Sequence, residues 1–235
     1  MQELTHGAAV FLLYVIPAAA IMFTARHFLN IPDELFRKIL HFILLGAYFP
    51  ILFAFDTWWI AAAFAAGLVI LFWPLLHLAG YIPAFSTFVN ERKKGEFKSS
   101  MVLALLTMAL SITVCWGGFG DRYLVLACVY AWGVGDAFAA LIGKRYGKHK
   151  LRLSFADGRK SVEGSAAMFV CSTLSVFIVL QLRGGLSGGS CLVIALAAAA
   201  ATTFVELCTK GGLDTITCPA AAMLVILPLL KLMGG

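Results

Sequence analysis

Asp136 stands inside a long apolar stretch of this chain, and a glycine- and lysine-rich segment follows it directly: Gly143, Lys144, Gly147, Lys148, Gly158, Arg159 and Lys160. That segment runs into Ser161-Val162-Glu163-Gly164-Ser165, which opens the next apolar stretch. A carboxylate at membrane depth is costly and marks a functional site by default. Glycines let backbone N–H groups approach an anion, and lysines bring charge to it. The combination points to phosphate chemistry at a membrane.

Each of these residues has a bland reading beside the chemical one. Asp136 is either a magnesium ligand or general base, or a structural hydrogen-bonding group. Hard divalent cations want carboxylate oxygens, and Mg²⁺ is commonly held by one or two of them plus substrate phosphates. Ala137, Ala139 and Ala140 surround Asp136 with small side chains, which permit close helix approach in lipid. Gly143 lies two turns further on, on a similar face, and suits a phosphate approaching the backbone. Lys144, Lys148, Arg159 and Lys160 would neutralise phosphate oxygens, or are basic only because cytoplasmic loops are. Ser161 is placed to cap a helix starting at Val162, whose N–H groups would face the same anion. Glu163 in that first turn either favours the helix dipole or ligates metal or substrate. Gly-x-x-x-x-Gly-Lys-Ser/Thr cannot be read here, so this is no Walker A loop.

A second basic element is Arg37-Lys38-x-x-His41. A helix starting near residue 35 puts Arg37 and His41 one turn apart on one face, as phosphate or headgroup contacts with His41 a possible proton carrier, or as an ordinary flank. Glu206 lies near the end of one apolar stretch. Asp214 and Thr215 precede another, where they could ligate a metal or cap the helix, and Pro219 suits a position near that helix's start. Glu91-Arg92-Lys-Lys-Gly95-Glu96 reads as a solvated loop. His6, His27, His77 and His149 form no HxxxH or HExxH pair, and no Gly-x-Ser-x-Gly element occurs, which argues against a transition-metal site and a serine hydrolase. The six cysteines form no CxxC pair and read as small buried hydrophobes.

The elements that must position these groups are membrane helices. Of 235 residues, 61% are hydrophobic and 13% charged, against roughly 45–50% and about 25% in soluble domains, and the mean hydropathy is +0.93. Transmembrane β-strands would alternate, which these runs do not. Spans of about 20 apolar residues fall near 8–26, 39–55, 58–80, 101–119, 122–143, 162–182, 190–209 and 217–233. The expectation is an all-α, polytopic bundle of about 7–8 spanning helices, a single integral membrane domain over 1–235 with its catalytic core at about 35–220. The first run lacks a basic segment before it and reads as a spanning helix, not a cleaved signal. All of the 18 lysines and arginines except Arg122, Arg183 and Lys231 fall on one side of this topology. The positive-inside rule makes that side cytoplasmic and puts both termini outside. Apart from Glu3, Asp56 and Asp121, every acidic residue maps to the same side, as one cytoplasm-facing site would require. The net charge of +6 is thus spent on topology and phosphate, with no basic-aromatic interleaving for nucleic acid.

The central block Gly135-Asp136-Ala-x-Ala-Ala-x-x-Gly143-x-x-x-Gly147, followed by Lys160-Ser161-x-Glu163-Gly164-Ser165, resembles the CTP-dependent polyprenol and lipid-alcohol kinases. That group includes dolichol kinase, phytol kinase and the CTP-dependent diacylglycerol kinase of fungi. Arg37-Lys38-x-x-His41, Glu91-Arg92, Glu206, Asp214 and Pro219 support the resemblance, which runs from about residue 35 onward. The family often has Asp-Asn before its last span where this chain has Asp214-Thr215. The resemblance implies transfer of the γ-phosphate of CTP, as co-substrate, to a lipid hydroxyl with Mg²⁺ or another divalent cation. Asp136 with Glu163, Glu206 or Asp214 would hold the metal, the basic residues and Gly143, Gly147, Ser161 and Gly164 would bind phosphate, and Arg37 and Lys38 would close the site. Arg37, Lys38, Asp136 and Gly143 become the most sensitive positions. The block is more distantly similar to phosphatidate cytidylyltransferases, whose His-Gly-Gly…Asp-Arg-x-Asp signature survives here only as Lys210-Gly211-Gly212-Leu-Asp214. An anion or lipid transporter is the other rival. It fits less well, because transporter sites sit at the midplane between repeats and no repeat is visible.

Overall fold

The computed structural model describes residues 1–81, 95–151, 160–209 and 212–234. Glu91, Arg92, Lys93, Lys94, Gly158, Arg159, Lys210 and Gly211 therefore lie outside the described residues. Among those described, eight helical stretches are long and apolar enough to cross a membrane, which makes this a polytopic helical membrane protein. Leu13, Ile70 and Leu224 turn outward on them, where lipid is the matching solvent. The chain, read from sequence as one membrane domain, groups into two compact units, Met1–Gly117 and Gly118–Gly235.

The first unit contains α1 (Gln2–Phe28), α2 (Asp33–Gly46), α3 (Tyr48–Ala54), α4 (Trp58–Ala79) and α5 (Glu96–Ser111), the last extended by a π-helical turn, Ile112–Gly117. Side chains tie its helix ends. The Glu3 carboxylate accepts from the amides of Asp56 and Thr57 at 3.0 and 2.8 Å, just before α4. Arg26, at the other end of α1, pairs with Asp33 at 2.5 Å and donates to the Ile31 carbonyl. Asp33 and Glu34 give α2 an acidic first turn, which the helix dipole favours. The helix therefore starts before the apolar run expected to open at residue 39. Pro50 explains the break at Ala47. Its ring would meet the carbonyl of residue 46 in a continuous helix, but in the first turn of α3 it is tolerated.

The second unit is a four-helix antiparallel ring: α6 (Arg122–Tyr146), α7 (Val162–Arg183), α8 (Gly188–Cys208) and α9 (Asp214–Leu232). Each packs on the next, and α9 closes against α6. Three of the four starts carry a side-chain cap. Asp121 accepts from Tyr123 N, Ser161 from Gly164 N and Ser187 from Ser190 N. Gly184 and Gly185, with φ of 75° and 80°, make the turn between α7 and α8. At that end of the ring Arg183 pairs with Asp121 at 2.5 Å, and Lys231 lies over the Phe119 ring. The opposite end gathers the C-termini of α6 and α8 and the N-termini of α7 and α9.

Two expectations for the last span need correction. The Leu213 carbonyl accepts from Ile216 N, Thr217 N and Thr217 Oγ1 at 3.0, 3.0 and 3.1 Å. This starts α9 at Asp214, upstream of the apolar run. Pro219 consequently lies inside the helix and not at its start, and Asp214 is a first-turn residue that does not cap it.

Small residues bring α6 and α7 together, the usual way helices associate in lipid. A Cβ on Gly135 would lie 2.3 Å from Ser172 Oγ and 2.9 Å from Met168 Cγ. Ser172 Oγ is itself committed, donating to the Ala131 carbonyl. Helix propensity alone favours alanine over glycine by about 1 kcal/mol, whereas overpacking costs about 1–3 kcal/mol. We expect Gly135→Ala to lower the thermal midpoint of the lipid-reconstituted protein by a few degrees. An unchanged or raised midpoint would contradict this packing.

Candidate active site

The acidic end of the second unit assembles from α6, α8 and α9, with Lys160 from just before α7. Asp136 lies on α6, partly exposed, one turn beyond Trp132. The Trp132 indole Nε1 donates to Asp214 Oδ2 at 3.1 Å, tying α6 to the first residue of α9. Glu206, in the last turn of α8, pairs with Lys160 at 2.8 Å, both side chains largely buried at 13% and 18% exposure. The charges of Asp136 and Asp214 both act on Glu206, and all three, with Lys160, act on the Cys218 thiol of α9. Four chemistry-bearing residues, as much as 78 positions apart in sequence, thus share one electrostatic neighbourhood.

Lys160 has a more definite job than neutralising a phosphate. Its ammonium donates to the Glu206 carbonyl and lies 3.5 Å from that of Thr209. These are carbonyls at the end of α8, where a helix leaves acceptors without partners and where a cation is favoured by the dipole. Lys160 thereby closes α8 and supplies Glu206 with its counter-charge.

The connector that precedes Lys160 is drawn together at its base. Lys150 and Ser161 form an antiparallel bridge. Leu151 N donates to Lys160 O, and Val162 N to His149 O, each at 3.0 Å. Ser161 is buried, at 3% exposure, and caps α7 as its position suggested. Glu163 turns toward the connector. His149 Nδ1 lies 2.7 Å from its Oε1, and the His149 amide reaches both carboxylate oxygens. Lys144 and Lys148 are exposed beside this base.

The glycines have a packing role. A Cβ on Gly143 would lie 3.2 Å from Ser161 Oγ and 3.4 Å from Gly164 Cα; one on Gly164 would lie 3.0 Å from the Ala139 carbonyl. A Cβ on Gly147 would lie 2.6 Å from Ser161 Oγ. The space these glycines leave is filled by the neighbouring helix and its cap, so they serve the α6–α7 crossing.

Among the described residues, no three His, Cys, Asp or Glu side chains close on one point that could hold a metal. The set of Asp136, Glu163, Glu206 and Asp214 is accordingly not an all-protein metal cage, and Glu163 is committed to His149. Arg37, Lys38 and His41 lie half-buried in the first two to three turns of α2, in the other unit. Arg159 lies outside the described residues. Sequence reasoning missed Trp132, His149 and Thr209. Trp132 carries a usable signal, being four residues before Asp136 and so on its helix face; the other two carry none.

The second unit of this polytopic helical bundle thus gathers carboxylates at one end, with Lys144 and Lys148 exposed where α6 runs into the connector. Comparison identifies the family. Over 208 residues the chain is 31% identical to the phytol kinase of Synechocystis sp., covering 83% of this chain and 78% of that protein. Over 155 residues it is 32% identical to dolichol kinase EVAN of Arabidopsis thaliana, covering 62% of this chain and 26% of that longer protein. The chain belongs to the polyprenol and lipid-alcohol kinase family. It is therefore a transferase that phosphorylates a lipid alcohol from a nucleotide donor. No family model matches the chain, and no solved structure does.

Proposed function

We propose that this kinase transfers the γ-phosphate of CTP to the hydroxyl of a membrane-embedded polyprenol, phytol-like alcohol or diacylglycerol, at the cytoplasmic face, with both chain termini on the opposite side. The observation that carries the reading is the convergence of Asp136, Glu206, Asp214 and Lys160 at one end of the four-helix unit, next to exposed Lys144 and Lys148. Phosphoryl transfer asks a protein mainly for positioning and charge stabilisation, and little covalent work. Lys144 and Lys148 bind and orient the triphosphate. A carboxylate of the acidic end accepts the proton of the acceptor hydroxyl. The acceptor's tail stays among the lipid-facing helices while its hydroxyl meets the nucleotide at the interface.

The donor set fits a divalent cation that arrives on phosphate oxygens and is held by one or two carboxylates, as Mg²⁺ commonly is. Asp136 would hold it with Asp214 or Glu206, and it would supply charge neutralisation at the phosphates.

The test is a matrix of γ-labelled CTP, ATP, GTP and UTP against phytol, a polyprenol, dolichol and diacylglycerol, using purified protein in lipid. We expect label in the lipid with CTP as the preferred donor. Equal use of all four nucleotides would contradict the CTP assignment.

A further inference from the structure

We propose that Glu163 is a positioning residue: through His149 it clamps the two arms of the basic connector 144–161 together, and so sets affinity for the nucleotide without touching the reacting atoms. This rests on the reading that the connector's lysines bind the triphosphate.

The geometry is particular. Glu163 sits in the first turn of α7, yet its carboxylate reaches back across the connector. It accepts from the His149 amide at 3.2 and 3.3 Å and from the imidazole at 2.7 Å. A carboxylate gathering backbone amides and an imidazole is the charge-assisted kind of anchor, stronger than neutral hydrogen bonds. It adds to the Lys150–Ser161 bridge and the two backbone bonds beside it. The consequence reaches the acidic end. Lys148 and Lys150 stand on the first arm and Lys160 on the second, and Lys160 is the group that pairs with Glu206. A clamp at His149–Glu163 thus fixes the spacing between exposed cations and the buried ion pair. Glu163 also has no need of a metal in this role, since its oxygens already face donors.

The experiment compares Glu163→Gln, His149→Ala, the double variant and Lys148→Ala, in full-length protein reconstituted in lipid. Two quantities are read: kcat and KM for the nucleotide, and hydrogen exchange at the amides of Leu151 and Val162, which bridge the arms. The clamp predicts that Glu163→Gln and His149→Ala each raise KM on the order of tenfold, the scale of one lost charge-assisted hydrogen bond. It further predicts little change in kcat, faster exchange at both amides, and a double variant no worse than the more severe single one. His149 is exposed, so His149→Ala tests the clamp even should Glu163→Gln fold poorly. Unchanged exchange with a collapsed kcat would overturn the proposal and put Glu163 at the reacting atoms. Faster exchange with unchanged KM would overturn the role in binding. If KM were then also unchanged in Lys148→Ala, the fault would lie in the nucleotide reading of the connector and not in the clamp.

Discussion

Asp136→Asn is expected to reduce phosphorylation of the lipid alcohol by about 10³-fold or more, with the fold intact. The substitution keeps size and hydrogen-bonding capacity and removes only charge. Asp136 sits at the acidic end of the four-helix unit, one turn from Trp132, which holds Asp214. Its charge reaches Glu206 and Cys218. Removing one preorganised electrostatic group from a transfer site costs about 10²–10³ in rate, and the proposed role of Asp136 as a cation ligand would set its loss at the upper end. A 10³-fold loss corresponds to about 4 kcal/mol of transition-state stabilisation. Initial rates of label transfer by purified Asp136→Asn, alongside its thermal midpoint, measure both halves. Activity above about one tenth of wild type would remove Asp136 from the chemistry.

Lys160→Met is expected to have the largest effect on stability. Glu206 is largely buried, and Lys160 pairs with it at 2.8 Å. Removing one member of a buried pair leaves a charge in a poor solvent and costs about 3–5 kcal/mol. Partial exposure of both side chains puts this case at about 3 kcal/mol, and the lost bonds to the carbonyls at the end of α8 act in the same direction. For a chain of this size that is a fall of about 6–12 °C in the thermal midpoint. The double variant Lys160→Met/Glu206→Gln should recover part of it, because the stranded charge is gone. A thermal double-mutant cycle on lipid-reconstituted protein reads this coupling. Additive losses would show that the pair does not support the fold.

Much of the fold was legible in the sequence because bilayer thickness dictates run length. All eight spans follow from it, while helix starts do not. At Asp33 and Asp214 the helix begins on polar residues, where acidic first turns and the Leu213 carbonyl decide, and hydropathy is blind to both. The gathering of Asp136, Glu206 and Asp214 on one face of the second unit was legible in the one-sided distribution of acidic residues. Which groups pair across that face was not. Lys160 is basic in either reading, and only the end of α8 shows that it closes a helix. The glycines illustrate the deeper ambiguity. Absence of a side chain admits a phosphate or a helix equally well, and Gly143 and Gly164 turn out to face each other. Glu163 stood out in the sequence, but its partner His149 lies 14 positions away across a connector with no periodicity to link them.

The most direct measurement gives the lipid-reconstituted enzyme CTP labelled at the γ-phosphate with one isotope and in the cytosine ring with another. The account predicts that only the γ-label enters the lipid and that CDP is released. Cytosine label retained on the lipid, with diphosphate released, would contradict it and mark the acidic end as a cytidylyl-transfer site.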